Sequence, residues 1–397
     1  MIYIFSHRFL AIVFSLLLLD SLLWWGLDAV LRRRRIRPGW RIGLAVFFAG
    51  EIAGVALYIA ARRIALPVLP LSAKAGISAL LIWHCLLLLP LLLVLVLSWL
   101  AAGVVSLAGR AEKSKPPTPD SLSRRRFLGI AAAAVPPLLT TALTGGALEQ
   151  LNQFRINRRT LAFPNLPPGL DGLKIAHLSD LHVGRLTEGA VLDRMVAETN
   201  ALGADLIAVT GDLINYSLAD LPHAVGLLQR LRAPLGVAVC EGNHDLFEDS
   251  AEFDRQLRAS GLLFLRNEST LLSVGGTPLQ LLGLRWTGSR DSEIAPPLDS
   301  LLRLRMPGIF SILMAHHPHA FDPAAAAGVP LVLSGHTHGG QLMLTDEIGV
   351  GPLMFRYWSG LYRKGESQLI VSNGVGNWFP LRINAPAEIA LLTLRAG

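Results

Sequence analysis

Ser334-Gly335-His336-Thr337-His338-Gly339-Gly340-Gln341 decides the fold of the C-terminal part of this 397-residue chain. Two imidazoles stand two residues apart, directly after the apolar run Val329-Pro330-Leu331-Val332-Leu333 and before two glycines that let the backbone approach a bound group. A chain presents metal ligands at the end of a strand in this way. One His-x-His is weak evidence by itself, and its weight comes from other apolar runs that end alike.

Working outward, apolar runs of strand length alternate with helical patterns from residue 173 onward. The strands read Leu173–Leu178, Leu206–Thr210, Val237–Cys240, Leu279–Leu284, Ser311–Ala315, Leu331–Leu333, Leu369–Ser372 and Glu388–Leu394. The helices include Glu188–Leu202, Leu218–Leu231 and Glu252–Ala259. The alternation predicts an α/β domain over residues 151–397, and the close spacing of the later strands predicts two packed sheets covered by helices.

Polar residues cluster where these strands end. The first closes as Ser179-Asp180-Leu181-His182, whose i, i+2 spacing in extended chain puts carboxylate and imidazole on one face. Others close as Thr210-Gly211-Asp212, Glu241-Gly242-Asn243-His244-Asp245 and Ala315-His316-His317-Pro318. A single Asp before a turn is usually a cap, and a single buried His is usually a hydrogen-bonded core residue. Five strand ends delivering Asp, Asn or His together exceed coincidence. The mixture, without Cys, suits Mn²⁺, Fe or Zn²⁺ better than a structural zinc site.

The order D-x-H, GD, GNHD, H, GHTH resembles the calcineurin-like metallophosphoesterases from about residue 172 to the C-terminus. Gly339-Gly340-Gln341, Gly374-Val375-Gly376, Arg382-Ile383-Asn384 and Pro386-Ala387-Glu388 are similar to the membrane-tethered branch of that family. The resemblance implies a two-sheet α/β/β/α sandwich and two divalent metal ions, Mn²⁺ first, with Fe or Zn²⁺ as alternatives. It implies that Asp180, His182 and His338 bind the first metal, Asn243, His316 and His336 the second, and that Asp212 bridges them. His317 is the rival to His316. His244 is implied to act on the substrate, with Asp245 orienting it. Two cations about 3.5–4 Å apart clamp a phosphoryl group and acidify a shared water.

The first 150 residues read differently. They hold 16 of the 36 Lys and Arg but only 6 of the 29 Asp and Glu, a balance of +10 against −3 for the remainder. The basic charge therefore belongs to the N-terminal part, and no nucleic-acid partner is expected. Four apolar segments, Phe9–Leu31, Ile42–Ala61, Ile77–Leu107 and Phe127–Leu148, approach the ~20 residues a bilayer span needs. They predict an all-α transmembrane module over residues 1–150, with a kink at Pro90. The fourth span is the weakest, being interrupted by Pro136, Pro137, Gly145 and Gly146. Asp20, Asp28 and Glu51 are expected to pair within the bundle or to sit near an interface.

Orientation follows from the positive charges. The basic clusters at Arg32–Arg41 and Arg110–Arg126 place those loops in the cytoplasm, and Arg62, Arg63, Lys74 and everything after residue 150 outside an inner membrane. Ser123-Arg124-Arg125-Arg126-Phe127-Leu128 resembles a twin-arginine export motif, which implies that export machinery as a partner. Ser114-Lys115-Pro116-Pro117-Thr118-Pro119 has the composition of a linker.

The function expected is hydrolysis of a phosphodiester or pyrophosphate in a lipid or cell-envelope substrate beside the bilayer. A UDP-2,3-diacylglucosamine-type pyrophosphate hydrolase is the nearest alternative, and it requires a cytoplasmic site. A non-catalytic membrane sensor is the alternative from another class. Arg285, Arg290, Arg356, Arg363, Lys364 and Arg382 are candidates for a phosphate contact, although most read as solvated surface. Trp286, Tyr357, Trp358 and Trp378 are candidates for a substrate-facing rim or for core.

Overall fold

The computed structural model describes residues 7–61, 69–108, 119–151, 153–187, 189–345, 348–349 and 351–397. Arg62, Arg63, Arg110, Lys113, Lys115 and all of the expected linker but Pro119 lie outside the described residues. The chain divides into two compact units, Met1–Ala65 with Pro70–Ala147 and Leu66–Leu69 with Leu148–Gly397.

The first unit is helical: α1 (His7–Arg33), α2 (Pro38–Ala61), α3 (Leu71–Leu81), a π-helical stretch Ile82–Leu87, α4 (Leu88–Ala108) and α5 (Pro119–Gln150). Four of its helices are long and apolar enough to cross a membrane, the third running from Leu71 to Val104 through the π stretch. Outward faces carry exposed Phe14, Leu93, Leu100 and Leu138, a surface that suits lipid rather than water. Pro90, where a kink is expected, lies in the first turn of α4, and the stretch just before that helix is π-helical. α5 continues unbroken through Pro136 and Pro137, as membrane helices with proline can. The hydroxyls of Thr140 and Thr144 bond back to the carbonyls of Pro136 and Thr140 at 2.9 and 2.7 Å.

The second unit is a four-layer α/β/β/α sandwich. Its strands are β1 (Phe154–Phe163), β2 (Lys174–Leu178), β3 (Leu206–Thr210), β4 (Val237–Cys240), β5 (Leu263–Phe264), β6 (Glu268–Val274), β7 (Thr277–Gly283), β8 (Phe310–Met314), β9 (Leu331–Ser334), the short pair β10 (Met343–Thr345) and β11 (Ile348–Gly349), β12 (Gly360–Lys364), β13 (Ser367–Val371) and β14 (Ala387–Ala396). Two mixed sheets form, in the orders β1-β14-β2-β3-β4-β5 and β12-β13-β9-β8-β7-β6. Period-two alternation divides each buried strand between two cores. Ile175, Leu206 and Ala208 point between the sheets with Ile312 and Leu331. Ala176, Ile207 and Val209 face α6 (Ala190–Ala201), α7 (Leu221–Gln229) and α8 (Ser250–Ala259). On the far side, Leu313 and Val332 meet α9 (Asp291–Leu302) and α10 (Phe321–Ala326).

Parallel pairing of β2, β3 and β4 in one sheet, and of β7, β8, β9 and β13 in the other, brings several carboxyl ends to one edge. The close approach of two of these ends depends on Gly211, at φ +81°, where a Cβ would fall on the main chain of Glu241 and Gly242. Gly211→Ala is expected to lower stability by about 1–3 kcal/mol, from strain and backbone collision. A thermal midpoint unchanged from wild type would contradict this.

Candidate metal centre

The strand ends do not present their ligands in extended chain. β2 stops at Leu178, and Asp180 and His182 beyond it have φ of +53° and +45°. Asp212, His336 and His338 are also left-handed, at +53°, +71° and +51°. The i, i+2 reasoning therefore assumed the wrong backbone for residues that do gather at the centre. Left-handed turns, not strand alternation, aim the side chains inward. Such conformations are costly for residues with a Cβ and persist where the surroundings enforce them.

The enforcement is visible. Asp245, wholly buried, accepts from the main-chain N–H groups of Asp212 (2.9 Å), Leu213 (2.8 Å), Ile214 (3.2 Å) and Gly242 (2.8 Å). It thereby fastens the loop after β3 to the loop after β4. Asp212 Oδ1 in turn accepts from His244 N at 2.8 Å, and both Asp180 oxygens accept from His336 N. The orienting role expected for Asp245 is corrected here. The His244 ring is held by the Asn215 carbonyl, 2.6 Å from Nδ1, because the four amides already engage the Asp245 carboxylate.

Three sets of ligand atoms each gather within 4.8 Å: Asp180, His182 and His338; His182, Asp212 and His244; and Asp212, His316 and His336. His338 Nε2 lies 3.2 Å from Asp180 Oδ1 and 3.0 Å from His182 Nε2. His316 Nε2 lies 3.1 Å from Asp212 Oδ2 and 3.3 Å from His336 Nδ1. These separations match the edges of a coordination shell, since ligands about 2.1 Å from one ion stand about 3.0 Å apart in an octahedron and about 3.4 Å apart in a tetrahedron. Asn243 Oδ1 is buried with no hydrogen-bond partner, as a carbonyl oxygen reserved for a cation is. The donor set thus fits two divalent ions.

Of the adjacent histidines, His316 enters the cluster, its Nδ1 donating to the Thr210 carbonyl at 2.7 Å. His317 turns aside and accepts from His319 N at 3.2 Å. His177 is core, bonded to Thr210 Oγ1.

Burial disfavours charge on all these groups. At His316 the carboxylates of Asp212 and Asp180 outweigh burial and raise its pKa to about 10. At His336 burial, reinforced by the charge on His316, pushes it down to about 3. Asp180 is held well below the carboxylate range, because His338 and His316 overcome its desolvation.

Arg382 escaped the reading as a surface charge. It is 0% exposed. Its Nε donates to Asn377 Oδ1 (2.6 Å), Nη1 to Ala385 O (2.8 Å) and Nη2 to Gly376 O (2.7 Å), and Nη2 lies 3.4 Å from His338 Nδ1. It thus pins Asn373–Asn377 beneath the centre, where a Cβ on Gly374 would meet Asp180 and His338. Its place in Arg382-Ile383-Asn384 was the available signal. Arg356 and Lys364 both pair with Asp322. Trp286 packs on His316, His317 and His336, Trp378 packs on His338 and His244, and Trp358 is core. Tyr216 and Phe247, beside His244, were missed because nothing in their spacing marks them.

The family profile described as calcineurin-like phosphoesterase matches residues 173–340. The uncharacterized metallophosphoesterase YkuE of Bacillus subtilis (strain 168) is 32% identical over 287 residues, which cover 69% of this chain and 98% of that protein. The chain is a calcineurin-like metallophosphoesterase. Phosphodiesterase YaeI of Escherichia coli (strain K12) is 29% identical to it, over 69% of this chain and 99% of that one. A transmembrane protein with metallophosphoesterase domain from Bos taurus is 29% identical, over 76% of this chain and 70% of its own. The resemblance read from the motifs and the sandwich fold agree with this assignment, and the family's dinuclear divalent centre agrees with the donor set.

Two outcomes follow for this phosphoesterase. His316, protonated in the metal-free site at neutral pH, must release that proton on metal binding. Metal affinity should therefore rise with pH up to about 10, and calorimetry in buffers of different ionisation enthalpy should register proton release. Arg382→Lys, which cannot reproduce the planar five-donor fork, should weaken metal retention by roughly 10–100-fold as read by metal content after dialysis.

Proposed function

We propose that the chain is a membrane-anchored dinuclear phosphoesterase that hydrolyses a phosphodiester or pyrophosphate of a lipid or cell-envelope substrate. The observation that carries the substrate class is the surface around His244. Tyr216, Phe247 and Trp378 are 50%, 52% and 43% exposed, and their rings stand 5.4, 4.6 and 6.1 Å from the His244 ring. Exposed aromatic rings beside the general-acid candidate suit an apolar leaving group better than a small phosphate monoester.

In this reading Asp180, His182 and His338 hold one metal ion, Asn243, His316 and His336 the other, and Asp212 both. Mn²⁺ is the first choice from the oxygen and imidazole donors, with Fe or Zn²⁺ as alternatives. When bound, the two ions supply positive charge for the phosphate oxygens and acidify a water. The chain's own contribution is proton handling at His244. Its Nδ1–H donates to the Asn215 carbonyl, so the neutral ring offers Nε2 as an acceptor and the charged ring offers Nε2–H to the departing oxygen. Asn215 fixes the ring, and Tyr216 and Phe247 shield one side from water.

Four apolar helices and a membrane-protein relative support anchoring. The basic clusters and the twin-arginine-like stretch support a multi-pass inner-membrane protein with the centre outside the cytoplasm, exported by the twin-arginine machinery. The bilayer and a phosphate-bearing envelope lipid are the partners proposed.

His244→Ala should lower kcat on a chromogenic phosphodiester by roughly 10²–10⁴-fold while leaving metal content unchanged. A rate equal to wild type removes His244 from the mechanism. A reporter fused after Gly397 should be active only outside the cytoplasm. A cytoplasmic signal would instead favour the diacylglucosamine-type pyrophosphate substrate.

A further inference from the structure

A carboxylate enclosed in an apolar helix bundle is tolerated when its oxygens are answered, and the helical unit answers its own unevenly. Asp20 on α1 is 0% exposed. Its Oδ1 accepts from Trp83 Nε1 at 2.6 Å, and its Oδ2 lies 2.9 Å from His84 Nε2. His84 Nδ1 stands 2.8 Å from the Leu80 carbonyl, which can only accept, so Nδ1 carries a hydrogen. The His84–Asp20 contact then needs a further proton, on Nε2 or on Oδ2. The geometry alone places one exchangeable proton between these two side chains. Trp83 and His84 both belong to the π-helical stretch, a form concentrated at functional sites.

Glu51 on α2 differs. It is 7% exposed, and its Oε2 is enclosed without a hydrogen-bond partner. One turn before it on α2, the rings of Phe47 and Phe48 stand 4.9 and 5.3 Å from that of Trp83, the neighbour of His84, and the titratable groups that act on Glu51 are His84 and Asp20. The other acid on α1, Asp28, is held by Arg32 and Arg41 at 2.6 and 2.7 Å. α5 brings Ala133 to the same core, and its hydroxyls bond their own helix. A metal ion is a poor fit as the ligand. Among the described residues the triplets within 4.8 Å are all in the phosphoesterase centre. A proton needs no such convergence.

We propose that Asp20, His84 and Glu51 form an intramembrane proton-binding site, with the Asp20–His84 pair holding one proton and the open Glu51 oxygen taking up a second. Uptake forms one O–H bond at Glu51. It turns the net charge of the cluster from −1 (imidazolium with two carboxylates) to zero, and the proton comes from water at the bilayer surface. The site rests on the proposed membrane anchoring and is independent of phosphate chemistry.

The test uses the full chain in native membranes and dicyclohexylcarbodiimide, which modifies protonated carboxyl groups in apolar surroundings. Peptide mapping by mass spectrometry should find Glu51 modified, to an extent that grows as pH falls, with the modification lost in Glu51→Gln. His84→Asn leaves two carboxyls to share the cluster and should raise modification of Glu51 at neutral pH several-fold, which a purely structural contact would not do. Glu51 unmodified at every pH, in a chain that stays in the membrane fraction on alkaline extraction, overturns the proposal, and so does modification independent of pH. A chain released by that extraction overturns the anchoring and the proton site together.

Discussion

Four main-chain N–H groups converge on the buried carboxylate of Asp245, and the metal centre depends on that convergence. Hydrogen bonds of this kind contribute about 0.5–1.5 kcal/mol each when formed, and more is lost when a buried donor is abandoned. Here they hold Asp212 in a left-handed conformation that its Cβ resists. Asp212 then receives the His244 amide, and the Asp180 carboxylate receives the His336 amide, so backbone bonds pre-shape the ligand cage. Cations entering such a cage would find their ligands already in place, which reduces the entropy lost on binding.

The two sheets make this precision possible. Ligands arrive from the ends of β2, β3 and β4 in one sheet and of β8 and β9 in the other. A core of Ile175, Leu206, Ala208, Ile312 and Leu331 fixes the distance between the sheets. Close approach is then enforced by glycines. A Cβ at Gly335 would collide with Ser179 and Asp180, and one at Gly242 with Asp212. Packing sets the spacing, hydrogen bonds set the backbone, and the side chains follow.

Much of this was legible in the sequence. β3 and β4 fall on the predicted residues, because each is an unbroken apolar run that one sheet buries on both faces. β1 was not legible. Phe154–Phe163 carries three arginines and an asparagine, reads as polar chain, and becomes a strand by pairing in parallel with β14, more than two hundred residues away. α9 was hidden by Pro296 and Pro297, which normally end a helix but here fall in its middle and pack Pro297 inward. The residue types that gather at the candidate centre were legible from composition at the strand ends. The partners that aim them were not. Asp245 reads as one more acid in a run of polar residues, and Arg382 as one more surface base. Whether such a group is buried and what it touches are tertiary facts.

The resulting centre separates two kinds of work. The candidate ligands sit on turns locked by backbone bonds and by glycines that admit no Cβ, so substitutions there disturb the whole cage. His244 instead stands on a short 3-10 turn, His244–Leu246, and takes its ring orientation from one carbonyl, that of Asn215. The rings of Tyr216 and Phe247 stack on each other at 5.7 Å, next to that carbonyl and that turn respectively. In the proposed reaction these two rings lie beside the leaving group, whereas the candidate donor set is held by the backbone of the cage.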